Sequence, residues 1–99
     1  MYVIREILNC KPGKVRQVLE KFKAVSTVLK DMGHEPLHLL TDVTGEPFWT
    51  LVAEARVEKI DDFFAMEQKV MANETLRKGM ADFHELIASG RREIYREES

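Results

Sequence analysis

The chain has a single cysteine, Cys10, so no disulfide can form within it and nothing in its cysteine usage points to an oxidising compartment. It also lacks an excess of positive charge: 15 Lys and Arg against 17 Asp and Glu leave a formal charge of -2. Nucleic-acid binding through backbone phosphates therefore has no electrostatic source. No apolar run approaches the roughly 18 residues of a membrane-spanning helix. Met1 is followed at once by a mixed segment, Tyr2-Val3-Ile4-Arg5, instead of a basic region and an apolar plug. Glycine-rich phosphate loops, CxxC pairs, HExxH and nucleophile elbows are missing too. The expectation is a soluble, cytoplasmic protein with no nucleic-acid or membrane partner and no cofactor.

What is present is ordinary globular composition, with 44% apolar and 32% charged residues. Ninety-nine residues suit one domain, which at this size buries about two-thirds of its unfolded surface. Tyr2 to Cys10 is rich in β-branched and apolar residues and stops at Lys11-Pro12-Gly13, which predicts a strand. Pro12 suits a first helical position. From there Val15, Val18, Leu19, Phe22, Val25, Leu29 and Met32 follow at helical steps up to Gly33, which predicts a helix closed by a C′ glycine. Pro36 to Val43 and Phe48 to Val57 read as two strands joined by Thr44-Gly45-Glu46-Pro47, a hairpin. Asp61 and Asp62 open a second helical pattern through Phe63, Phe64, Glu67, Val70 and Met71. Asn73 interrupts it as an N-cap, after which Leu76, Met80, Phe83, Leu86 and Ile87 resume as far as Gly90, read as the stop. Arg91 to Arg96 reads as a short last strand.

This order, βαββαβ with a central hairpin, is the split β-α-β pattern of the ferredoxin-like fold. It predicts an α+β protein, a four-stranded antiparallel sheet with helices on one face. The other face then has no cover, although strand 1 is apolar on both parities and Leu40, Phe48 and Val52 add to it. A second copy packed sheet to sheet would solve that problem, so a homodimer is expected.

The junction Cys10-Lys11-Pro12-Gly13-Lys14, the loop Thr44-Gly45-Glu46-Pro47 before Phe48-Trp49, the break at Ala72-Asn73-Glu74 and the closing Ser89-Gly90-Arg91-Arg92-Glu93-Ile94-Tyr95-Arg96 carry a resemblance. In their order and spacing, over nearly the whole chain, they resemble the NIPSNAP-like branch of the dimeric α/β-barrel superfamily. The resemblance implies a dimer whose sheets form a barrel and a pocket in each protomer between sheet and helices. Cofactor-free monooxygenases, haem-degrading enzymes, isomerases and many proteins of unassigned function belong to that superfamily, so the fold alone selects no reaction.

The candidate residues are few. His84 follows Met80 by one turn at the border of the apolar stripe, where an imidazole could enter a sheet-helix cavity as proton acceptor; the plainer account is a half-exposed helix-edge histidine. His38 shares parity with Leu40 and could line a pocket or the barrel interior, or be an ordinary strand residue at the dimer contact. His34 follows Gly33, where a cation complements a helix C-terminus. Trp49, on the parity of Leu51 and Ala53, is either core or an aromatic wall for a planar substrate. Asn9 ends strand 1, where its amide could polarise an oxygen or simply shape a turn. Arg5, Glu54 and Arg56 could form an acid-base set or cross-strand ion pairs. Asn9, Trp49 and His84 are similar in type to a trio in the superfamily's haem-degrading enzymes, but Trp49 and His84 stand much further apart than in that group. Cys10 reads as an inert strand-end thiol. The expected function is to bind or transform a small hydrophobic molecule. His84, Asn9 and Arg5 are its candidate catalytic groups and Trp49 and His38 its candidate substrate contacts; the alternatives are a non-catalytic homodimeric module and a haem-binding or cofactor-free monooxygenase.

Overall fold

A computed structural model describes residues 1–45 and 47–99; Glu46 of the expected hairpin loop lies outside the described residues. The elements run β1 (Tyr2–Cys10), α1 (Val15–Asp31), β2 (His38–Thr41), β3 (Thr50–Val57), α2 (Ile60–Met71), α3 (Glu74–Gly79), α4 (Phe83–Leu86) and β4 (Ile87–Arg96). The strands form one sheet in the order β2-β3-β1-β4, and every neighbouring pair is antiparallel. That is the ferredoxin-like α+β arrangement, and the short dimension of 17 Å against 36 and 35 Å fits one sheet under one helical layer. Among the described residues no helix is long and apolar enough to cross a membrane.

Alternation along the strands decides what faces the helices. Ile4, Leu8 and Cys10 of β1 and Leu51 and Ala53 of β3 are buried on the helical side. Val3, Arg5 and Ile7, with Val52 and Glu54 beside them in register, lie on the opposite, open face. The core on the covered side falls into two parts. Leu8, Cys10, Val18, Leu51 and Leu86 form one cluster near the end of β1. Leu29, Val70 and Leu76 form the other, where α1, α2 and α3 meet.

Local chemistry fixes the helix ends. Gly33 takes φ +86°, the Gly33 N–H reaches the Lys30 carbonyl at 3.0 Å and the His34 N–H reaches that of Leu29 at 2.9 Å, closing α1 as its sequence predicts. The break in the second helical pattern also falls where expected, and the Asn73 side chain accepts the Leu76 N–H at 3.0 Å.

Three expectations are corrected. Pro12 does not start α1. It sits in a turn closed by the Lys14 N–H on the Lys11 carbonyl, with Gly13 at φ +78°, so the helix begins at Val15. Phe48 and Trp49 are not strand residues: β3 starts at Thr50, held by its N–H on Asp42 Oδ1 at 2.8 Å, and Trp49 takes φ +63°. Parity counted back from Leu51 therefore says nothing about Trp49. Gly90 is not a helix stop. The last helical turn ends at Leu86, whose carbonyl accepts the Lys11 N–H at 2.9 Å, and β4 runs from Ile87 with Gly90 opposite Leu8. A Cβ there would stand 2.9 Å from Leu8 Cδ2, so a larger residue would require the buried Leu8 side chain to shift.

Candidate functional site

Between the two core clusters lies a cavity of about 250 Å³, bounded by the sheet on one side and by α1, α2 and the α3–α4 segment on the other. Its wall is nearly all carbon and sulfur: Ile4 and Leu8 from β1, Phe22 and Leu29 from α1, Phe63 from α2 and Phe83 from α4. Three of the five methionines, Met66, Met71 and Met80, complete it and give it adaptable, polarisable sides.

Only three lining residues carry charge, and they touch one another. Glu6 and Arg92 are directly paired between β1 and β4, on the parity of Ile4 and Leu8 that faces the helices. Glu67 comes from α2, four residues after Phe63 and three before Val70, hence on the same helix face as both. The Arg92 guanidinium donates from Nε to Glu6 Oε1 and from Nη2 to Glu67 Oε1, the latter at 2.9 Å. It also lies 5.2 Å from the centre of the Phe63 ring, in cation–π range. The hydrogen bond to Glu67, and after it that to Glu6, holds the Arg92 proton more firmly than usual, against the opposing effect of burial. Two carboxylates and one guanidinium give the triad a formal charge of -1. Glu67 Oε2 is buried with no hydrogen-bond partner among the described residues. Chemically, the site can hold an apolar body and accept a hydrogen bond at one end.

None of the five residues singled out by sequence lines this cavity. His84 is exposed, with its ring set edge-on to Phe83 at 5.9 Å, because the short α4 turns Phe83 and Leu86 inward and leaves His84 outside. Trp49 is 44% exposed in the hairpin loop, and its carbonyl accepts the Cys10 N–H at 2.8 Å. Arg5, His38 and Asn9 belong to the open face of the sheet. There Arg5 pairs with Glu54 at 2.8 Å and lies 5.6 Å from the Tyr95 ring. Asn9 donates to Ser89 Oγ at 3.0 Å and accepts from Thr50 Oγ1 at 3.3 Å, so the structure brings it together with neither histidine. His38 stands opposite Glu54. Arg56 binds Glu97, at 2.6 Å to Oε2, and so does not join Arg5 and Glu54 in one set. Burial pushes the Cys10 thiol above its usual range, with the charge of Asp42 acting the same way, which suits an inert thiol.

Sequence reasoning does not find the triad, although two of its members break a pattern the sequence carries. Glu67 interrupts the apolar stripe of the second helical segment, and Glu6 falls between Ile4 and Leu8 on the core parity. Charges at such positions are costly unless paired, which is the signal that could have found them. The register that sets Arg92 opposite Glu6 supplies the pairing.

Fold and site together define a ferredoxin-like α+β protein with an apolar sheet-helix pocket. Its structural neighbours are NIPSNAP-family proteins and proteins resembling antibiotic biosynthesis monooxygenases. An uncharacterised NIPSNAP-like domain protein from Burkholderia xenovorans superposes with a TM-score of 0.82 at 15% identity, over 99% of this chain and 85% of the other. A NIPSNAP-family protein from Agrobacterium tumefaciens gives 0.79 at 17% identity, over 96% and 90%. A protein from Nitrosomonas europaea, provisionally described as an antibiotic biosynthesis monooxygenase, gives 0.73 at 14% identity, over 98% of each chain. At these identities the likeness establishes a shared fold. The sequence matches no protein-family model and no curated protein.

Proposed function

We propose that this protein binds a small, mainly apolar molecule in the cavity between its sheet and helices, and that it does so as a homodimer paired through the open sheet faces. The cavity wall is the observation that carries the first part: fourteen of its seventeen residues are apolar, and the three polar ones are gathered in one triad. A cavity of about 250 Å³ suits a ligand of on the order of ten non-hydrogen atoms, judged against the share of volume one water takes. A snug apolar fit of that size corresponds to a dissociation constant on the order of 0.1 mM, about 0.5 kcal/mol per atom.

Calorimetric titration with propylbenzene and 4-propylphenol tests the pocket. The wild-type protein is expected to bind at least one of them, and Ala55→Phe, which fills the lumen from β3, to bind neither while still unfolding cooperatively. No heat and no rise in melting temperature with either compound at millimolar concentration would remove the reading.

Support for pairing comes from the face opposite the helices. Val3, Ile7, Leu40, Val52 and Tyr95 share it by strand parity, and Leu40 and Tyr95 are about half exposed. In such a dimer Arg5, Asn9 and His38 lie between the two sheets and set their register. Sedimentation equilibrium at micromolar concentration should give twice the chain mass of 11.5 kDa, and Val52→Asp the single mass. A wild-type monomer would contradict the pairing. Oxygenase or isomerase chemistry in the cavity would have to run through Glu6, Glu67 and Arg92, since His84, Asn9 and Arg5 lie elsewhere.

A further inference from the structure

We infer that Glu67 selects the ligand: the cavity takes an apolar molecule ending in a neutral hydrogen-bond donor, such as a phenol or alcohol, and turns away carboxylates. The inference rests on the pocket reading above and adds to it the polarity of the occupant. Its first ground is that Arg92 is already paired within the protein. Two of its guanidinium nitrogens are committed to Glu6 and Glu67 and its face is over Phe63, so the one cation of the wall is already engaged by the protein. The second ground is the charge count, two carboxylates against one guanidinium within the lining. An anionic ligand would meet more carboxylates than cations on an otherwise apolar wall and would find the one guanidinium already paired.

The third ground is the orphaned oxygen. Glu67 Oε1 is occupied by Arg92, while Oε2 is buried with no donor to it among the described residues, although Glu67 is a lining residue. A buried acceptor left unpaired is costly, more so when ionised. The last torsion of a glutamate, between sp³ and sp² carbons, is soft. Rotation about it is the movement that would present Oε2 to the lumen, to be satisfied there by the hydroxyl of a ligand seated against Phe63, Met66 and Met80. The apolar body gives affinity, and the single donor fixes which end faces the triad. A ligand without the donor leaves the carboxylate oxygen unpaired, the situation in which polar sites discriminate most strongly.

The test is calorimetric titration of the wild-type protein with three probes of matched shape, namely 4-propylphenol, propylbenzene and 4-propylbenzoate, repeated on Glu67→Gln. The wild type should prefer the phenol to propylbenzene by at least about tenfold, the size expected of a hydrogen bond to a charged group, and should not bind the benzoate measurably. In Glu67→Gln the amide can keep its oxygen on Arg92 and turn its NH₂ to the lumen. The preference for the phenol should then shrink, because an NH₂ donating to the phenolic oxygen is a neutral hydrogen bond in place of one to a charged acceptor, and the benzoate should begin to bind, while propylbenzene affinity stays unchanged and reports an intact pocket. Equal wild-type affinity for phenol and propylbenzene, or wild-type binding of the benzoate, overturns the role of Glu67 and leaves the pocket standing. Failure of all three probes to bind the wild type overturns both. The comparison within the wild type needs no variant, so a misfolded Glu67→Gln would not shelter the inference.

Discussion

Removing the cation of the triad should be the most damaging single change on the covered side of the sheet that creates no cavity. Arg92→Leu takes away two charge-assisted hydrogen bonds, each worth about 1.5–3 kcal/mol when well shielded. The side chains are not fully shielded: Arg92, Glu6 and Glu67 remain 33%, 27% and 37% exposed, so solvent screening removes a large part of that value. Loss of the contact with the Phe63 ring adds about 0.5 kcal/mol, and the new leucine returns about 1 kcal/mol by burying apolar surface. The expected net loss is about 2 kcal/mol, which for a domain of this size lowers the melting temperature by about 8–16 °C. Two companions isolate the cause. Replacing all three residues by leucine removes the uncompensated carboxylates and should recover most of the loss. Arg96→Leu, which breaks an ion pair in open solvent with Glu98, should shift the transition by no more than about 2 °C. Thermal unfolding followed by circular dichroism reads all three. An Arg92→Leu protein as stable as the wild type, or a triple variant no better than the single one, would refute the reasoning.

Other expectations follow from single contacts. Leu51 is completely buried at the centre of the first core cluster, so Leu51→Ala should cost about 3 kcal/mol, read as a lower urea midpoint. Asn73→Ala removes the cap on Leu76 N–H and should cost about 1 kcal/mol, whereas Asn73→Asp keeps an acceptor and should cost little. The hydrogen bond from Lys21 Nζ holds the Asp82 carboxyl below the usual carboxylate range. A carboxyl depressed in the folded state adds stability that is complete above its unfolded value and disappears as pH falls through the folded one. Melting temperatures recorded from pH 6 down to about pH 3 should therefore fall less steeply at the acid end for Lys21→Met than for the wild type. Parallel curves would contradict the assignment.

The sequence revealed the fold more completely than the site, and the reasons are physical. Strand alternation and helical spacing are local signals, and they placed β1, α1, the hairpin and the break at Asn73. The errors came where a distant partner decides. The carbonyl of Leu86 meets the Lys11 N–H and Gly90 lies under Leu8, so the last helical turn gives way to β4 earlier than its own residues suggest. Trp49 adopts a left-handed backbone just before Thr50, whose N–H is held on Asp42, and no parity count anticipates that. The site shows the same contrast. His84 and Trp49 were singled out for their chemistry, yet a residue becomes functional by where the chain puts it. Glu6, Glu67 and Arg92 are 86 residues apart at the extremes and meet only through strand register and a helix face. What was legible was the anomaly of a charge on a core parity, which becomes informative once the pairing is known.

The central claim is that a small apolar molecule occupies the space between sheet and helices with its donor at Glu67. The most direct measurement is a crystal structure of the protein grown with 4-propylphenol. The account predicts ordered ligand density enclosed by Phe22, Phe63, Met80 and Phe83, with the hydroxyl oxygen within hydrogen-bonding distance of the Glu67 carboxylate. Density on the open face of the sheet, or in the cavity with the hydroxyl turned away from Glu67, would contradict it.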